Sequence, residues 1–203
     1  MRNNRVLITL VKKAMTRDKI IQCLEPIANV QNWADIKLEE GLRNAAVLVP
    51  LVQRKQWHVL LTKRTDHLRN HPGQISFPGG REDTTDASPI QTALRETEEE
   101  VGIQQNLIDI AGVIEPYLTV TNFNVVPIVG FVDPAYALKI DTFEVEEAFE
   151  VPLSALSHPD LYQKKEIFWQ DQWRAYWELS YKGHRIWGAT AGMLYGLSCR
   201  FAT

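Results

Sequence analysis

The sequence predicts a mixed α/β domain, on three observations. Two apolar runs, residues 45–52 and 57–62, are separated only by the polar stretch Gln53-Arg54-Lys55-Gln56 and read as buried strands joined by a hairpin. One sharply bracketed helix, residues 89–101, follows them, and apolar strand-like runs return after it. Strands and helices do not alternate regularly, so a repeating βαβ series is not expected.

The remaining elements follow from the same patterns. Residues 1–13 carry a basic head and a short apolar stretch interrupted by Lys12-Lys13. A signal peptide needs a longer apolar region and a small-residue cleavage site, so a frayed or strand-like arm is expected there. From Thr16 to Ala28, Ile20, Ile21, Leu24 and Ile27 recur at helical spacing. The expectation is an appendage over residues 1–40, its helix leaning on a main domain of residues 41–203. Residues 111–114, 125–132, 166–169 and 175–179 read as further strands, and residues 190–201 as a C-terminal helix.

Composition narrows the function classes. The chain has 203 residues, 45% hydrophobic and 23% charged, which is one ordinary soluble domain. Against 25 Asp and Glu stand 22 Lys and Arg, a formal charge of −3. No basic excess exists to neutralise a phosphate backbone, so no nucleic-acid partner is expected. No apolar run approaches the length of a membrane span, so no membrane partner is expected and the cytoplasm is the expected compartment. Cys23 and Cys199 are too few for a disulfide framework and read as inert. Trp169, Trp173, Trp177 and Trp187 read as core and strand packing, and His58, His158 and His184 lack ligand spacing.

The helix at 89–101 is the most informative segment. Ser88 suits the N-cap, Pro89 the first helical position and Gln91 the third position of a capping box, while Gly102 suits a left-handed C-terminal cap. At about 100° per residue, Ile90, Leu94, Thr97 and Val101 form a core stripe. Glu96, Glu99 and Glu100 are neighbours on another face, spaced i, i+3 and i+4, and Glu98 points elsewhere. Two like charges about 5 Å apart repel by roughly 0.8 kcal/mol in water and about 3 kcal/mol at an effective dielectric of 20. The negative end of the helix dipole adds to that cost, and Arg95 relieves only one carboxylate. A hard divalent cation, Mg²⁺ or Mn²⁺, would relieve the rest. A solvated acidic face is the alternative reading of any such charge run.

Upstream, Gly73-Gln74-Ile75-Ser76-Phe77-Pro78-Gly79-Gly80 ends in a turn whose glycines allow backbone to approach a bound group. Turn and helix together resemble the Nudix box, Gly-x5-Glu-x7-Arg-Glu-U-x-Glu-Glu-x-Gly-U, with U apolar. Gly80 begins it, and Arg95 to Ile103 match its second half. One extra residue separates Gly80 from Arg95, Asp86 stands for the first glutamate, and Thr97 takes a position that is usually apolar. The stretch from Leu60 to Gly80, with Leu60-Leu61-Thr62-Lys63-Arg64 and Phe77-Pro78-Gly79-Gly80, is similar to the coenzyme A pyrophosphatase branch of Nudix hydrolases. The one-residue insertion is familiar in that branch, and the looser likeness reaches Trp187-Gly188-Ala189-Thr190-Ala191-Gly192.

The resemblance implies a Nudix-type α/β/α sandwich with a mixed sheet. It implies metal ligation by Gly80, Glu96, Glu99 and Glu100, with Glu99, Glu100, Arg95 and Glu144 in the catalytic set. The general base comes from the box or from a distant loop, where Glu144 is the candidate for that base or for an extra metal ligand. Lys63, Arg64, Arg69, His71, Gly73 and Phe77 are the candidate substrate contacts. The first four form a basic cluster that suits phosphates but also suits solubility. The implied reaction splits coenzyme A into 3′,5′-ADP and 4′-phosphopantetheine with Mg²⁺ or Mn²⁺. ADP-ribose or NADH hydrolysis, and a silent nucleotide sensor, are the alternatives. The expected partner is a small nucleotide, and a homodimer is left open.

Overall fold

The computed structural model describes residues 15–37, 39–68 and 70–202. In chain order the elements are α1 (Arg17–Gln22), β1 (Arg43–Gln53), β2 (Trp57–Arg64), β3 (Ile75–Ser76), β4 (Gly79–Arg81), α2 (Pro89–Val101), β5 (Ile108–Val113), β6 (Tyr117–Leu118), β7 (Phe123–Val132), β8 (Val145–Pro152), β9 (Gln163–Trp169), β10 (Gln172–Tyr181), β11 (His184–Trp187) and α3 (Gly188–Phe201). The expected arm over residues 1–13 lies outside the described residues.

An unbroken apolar run makes a strand buried on both faces, and β1 is that strand. Its odd-numbered Ala45, Val49 and Leu51 pack with Ile20 of α1 and Leu194 and Leu197 of α3. Its even-numbered Ala46 and Leu48 pack with Ala93 of α2, while Val52 joins Leu60, Val101 and Ile103. Each valine, leucine or isoleucine among them contributes about 1.5–3 kcal/mol on full burial. The sheet therefore lies between α2 on one face and α1 and α3 on the other, an α/β/α sandwich.

The main sheet has eight strands along the path β3-β2-β1-β7-β5, with β4 on β1, β6 on β7 and β8 on β2. It is mixed: β1 and β7 run parallel, from Arg43 opposite Phe123 to Val52 opposite Val132, whereas β1 and β2 run antiparallel across the hairpin. A separate antiparallel sheet orders β11-β10-β9 and packs on α3, where Trp177 stacks on Tyr195 with centroids 3.7 Å apart.

Two expectations are corrected. The N-terminal helix stops at Gln22, well short of Ala28. Pro26 disfavours helical geometry at Glu25, and the Glu25 N–H instead donates to the Val113 carbonyl at 2.9 Å. The tryptophan cluster also divides. Trp173 is 70% exposed and Trp169 is exposed as well. Burial on β10 is confined to Glu178 and Leu179 near its C-terminal end, so the β9–β10 turn projects into solvent. That turn has positive φ at both Gln170 and Asp171, the twist a two-residue hairpin loop requires.

Candidate active site

The sequence bracketed α2 correctly, and its two ends fix the site. Ser88 Oγ accepts from the Gln91 N–H at 3.4 Å, and the Gln91 side chain accepts from the Ala87 N–H, one residue before the cap. Gly102 ends the helix at φ +73°. The buried face runs through Thr92, Ala93, Thr97, Glu100 and Val101, so the core stripe sits slightly rotated from the expected one. Leu94 is only half-buried. Thr97 satisfies its buried hydroxyl by donating to the Ala93 carbonyl at 2.6 Å, which lets a polar residue hold an apolar position.

That rotation carries Glu100 inward. Its side chain is 5% exposed, and one oxygen lies 3.7 Å from Arg64 Nη1. The other accepts from the Gly79 N–H at 3.3 Å. Burial pushes the Glu100 carboxyl up to about 8, against the pull of Arg64 and Gly79, and nearby Glu96 and Glu144 push it further. Glu96 is raised too, by burial first, with Arg95 opposing and Glu99 and Glu144 adding. Glu96 lies against Gly80, where a methyl group would collide with its carboxylate and push it aside.

Arg95 organises the outer carboxylates. It donates from Nη1 to Glu96 at 2.9 Å and to Glu99 at 3.0 Å, and from Nη2 to Asp86 at 2.9 Å and to the Arg81 carbonyl at 3.0 Å. Asp86, whose place in the sequence pattern was irregular, thus holds the arginine that holds the glutamates. Burial works against the Asp86 charge, yet hydrogen bonds from Arg95, the Asp83 N–H and Thr92 keep its carboxyl below the usual range. Glu99 sits at the rim, 60% exposed.

Glu144 reaches the site from the other side. The segment before β8 is tied to the end of α2: the Lys139 N–H donates to the Val101 carbonyl at 2.9 Å and the Asp141 N–H to the Glu100 carbonyl at 3.0 Å. The Thr65 N–H donates to the Glu144 carbonyl at 3.0 Å. Glu144 consequently lies 3.9 Å from Arg64 Nη2, across the same guanidinium from Glu100. No local pattern signals this neighbourhood; it depends on the path of residues 133–144.

The basic cluster is split by strand alternation. Arg64 faces the carboxylates, whereas Lys63 leaves the other face of β2 and donates to Glu146 at 2.7 Å. His71 is exposed at φ +55° in the loop between β2 and β3. Gly73 (φ +64°) sits against Asp66. Phe77 is buried in the core, so it acts on the site only through the position of Pro78 to Gly80. Arg69 lies outside the described residues.

Among the described residues, no three potential ligands already converge closely enough to hold a metal ion, since Arg95 and Arg64 draw the carboxylates to different sides. The donor set nevertheless fits a hard divalent cation. It consists of oxygen atoms, and two of its carboxylates are costly to charge where they sit.

In this α/β/α sandwich one capped helix seats its carboxylates against a glycine turn. The chain matches the NUDIX domain model over residues 42–176, and it belongs to that family. It is 44% identical over 156 residues to a protein of Enterobacter sp. (strain 638) called "Uncharacterized Nudix hydrolase NudL", covering 77% of this chain and 81% of that one. The protein of the same name from Escherichia coli (strain K12) is 42% identical over the same shares. Among solved structures, a C. elegans Ap4A hydrolase binary complex aligns with TM-score 0.47 and 19% identity, over 56% of this chain and 82% of that one. The protein is thus a Nudix hydrolase, of a family that acts on nucleoside diphosphate derivatives and generally uses a divalent ion such as Mg²⁺ or Mn²⁺. No helix among the described residues is long and apolar enough to cross a membrane.

Proposed function

We propose that this chain hydrolyses the diphosphate bond of coenzyme A, or of its oxidised or acylated forms, to 3′,5′-ADP and 4′-phosphopantetheine in the cytoplasm. The observation that carries the reading is the course of β2. The Leu60–Arg64 segment, which resembles the coenzyme A pyrophosphatase branch, runs directly to the buried Glu100 and ends with Arg64 between Glu100 and Glu144. The branch signature and the family's catalytic helix therefore meet at one guanidinium.

Glu96, Glu99, Glu100 and the Gly80 carbonyl would hold Mg²⁺ or Mn²⁺, which neutralises phosphoryl oxygens and stabilises the departing phosphate. The chain's own residues do the remaining work. Arg95 positions Glu96 and Glu99 and is itself fixed by Asp86. Glu144 takes the proton of the attacking water as its oxygen forms a new bond to one phosphorus and the bridging P–O bond breaks, the other phosphate leaving with the bridging oxygen. Its partner Arg64 holds it near Glu100. Lys63, Arg64, Arg69, His71 and Gly73 receive the substrate's anionic groups, Arg64 by its planar fork.

Product identification by mass spectrometry tests the reading, on coenzyme A, ADP-ribose and NADH, with and without Mg²⁺ or Mn²⁺. The expected products are 3′,5′-ADP and 4′-phosphopantetheine, formed only with the cation. A higher kcat/KM on ADP-ribose or NADH would replace coenzyme A with that substrate.

A further inference from the structure

A second cleft lies on the far side of β2 from α2, about 390 Å³ in volume, within the range of small-ligand sites. Its walls include Lys63 from β2, Gly73 from the turn before β3, Glu147 from β8, and His184, Arg185 and Trp187 from β11. Nothing in the proposed catalytic set explains the β11 wall.

That wall is built to present donors. Arg185 meets Glu178 Oε2 from Nε at 2.7 Å and from Nη2 at 2.6 Å, and Nη2 also donates to the Tyr176 hydroxyl at 3.2 Å; Nη1 takes part in none of these contacts. Its guanidinium lies 4.9 Å from the Trp187 ring centroid, and Tyr176 meets that ring edge-on. Glu178 is shared with Lys165, so Arg185 is oriented without being fully neutralised. His184 stacks on Phe149 with centroids 4.1 Å apart. Lys63 keeps two ammonium protons beyond the one given to Glu146. The wall is also rigidly placed against the main sheet: Thr190, at the start of α3, donates to the Ile75 carbonyl at 3.1 Å. The Trp187-to-Gly192 segment singled out in the sequence thus anchors this cleft.

We propose that the cleft binds a phosphate monoester on the nucleotide arm of the substrate, gripped by Arg185 and Lys63 with His184 beside them, and so selects substrates carrying a phosphate beyond the diphosphate. This rests on the coenzyme A reading, in which that group is the 3′-phosphate. Lys63 and Arg64 are consecutive and leave opposite faces of β2, so the cleft and the α2 carboxylates lie on either side of one strand end, which the nucleotide arm would pass around to reach both. A planar fork beside an ammonium suits a phosphate dianion even where neighbouring acids keep the net charge low.

Calorimetric titration with adenosine 3′,5′-bisphosphate and with adenosine 5′-monophosphate reads this subsite without requiring turnover. The parent is expected to bind the bisphosphate at least tenfold more tightly. That preference should fall severalfold or more in Arg185→Ala and in Lys63→Gln, with Arg185→Lys intermediate. Lys63 stands at a partly exposed strand end, so its variant decides the matter if Arg185→Ala fails to fold. Equal binding of the two ligands by the parent, or a preference that survives both Arg185→Ala and Lys63→Gln, overturns the proposal. A preference that depends on Arg185 in a protein that leaves coenzyme A intact supports the cleft and overturns the coenzyme A reading instead.

Discussion

Glu100 concentrates the physics of the site in one side chain. It is buried, accepts a single backbone N–H and faces one distant guanidinium, so its charge is poorly solvated. Its folded carboxyl is pushed up to about 8 from an ordinary 4.5. A group raised in this way stabilises the fold fully below its unfolded value and loses that contribution as pH rises through its folded value. Metal-free protein should therefore show a falling Tm between about pH 4.5 and 8. Glu100→Gln, which imitates the protonated form, should flatten that profile and lower kcat on the preferred diphosphate by about 100-fold or more. An unchanged kcat would remove Glu100 from the catalytic set. Asp86 behaves in the opposite sense: held low by Arg95, it stabilises above the usual carboxylate range and loses that effect as pH falls. Asp86→Ala should cost about 1–3 kcal/mol in urea unfolding at neutral pH. It should also reduce kcat, because Arg95 would no longer be anchored against Glu96 and Glu99.

At the scale of the element, α2 works because both of its ends are pinned by neighbours. Gly102 ends it in the left-handed region, where a side chain costs about 1–2 kcal/mol, and an added Cβ would lie 2.6 Å from the Lys139 side chain. Gly102→Ala should thus destabilise by at least that amount. It should also disturb activity, since Lys139 and Asp141 hang the Glu144 segment from the last turn of the helix. Gly80→Ala provides the contrast. Its methyl group meets the tip of Glu96 rather than the core, so the expected outcome is a folded protein by circular dichroism with little hydrolysis. A fully active Gly80→Ala variant would contradict the close approach of that turn to the carboxylates.

Across the whole molecule, stability is concentrated in the sandwich and is low in the projecting β9–β10 turn. Leu194 is fully buried between α3 and the sheet, and Leu194→Ala should cost about 2–5 kcal/mol in denaturant unfolding. Trp173→Ala, at the exposed turn, should change stability by less than about 0.5 kcal/mol. A loss comparable to that of Leu194 would mean that the turn is covered in solution. Ile20 of α1 and Leu24 just after it share a core with Leu194 and Leu197 of α3.

Local patterns carried a large share of this protein. The strand pair around residues 53–56 and both ends of α2 were legible because turn and cap chemistry acts within a few residues. The neighbouring carboxylates on α2 were legible because helical spacing fixes which side chains meet. Glu144 was singled out in the sequence, but its approach to Arg64 was not legible there, nor were the partners of Asp86 and Arg185 or the exposure of Trp173. Each depends on which distant segment passes by: the loop that pairs with the end of α2, the hairpin that overruns α3, the strand that closes the second cleft. Such encounters are decided by the packing of elements far apart in the chain, where no short-range periodicity leaves a mark.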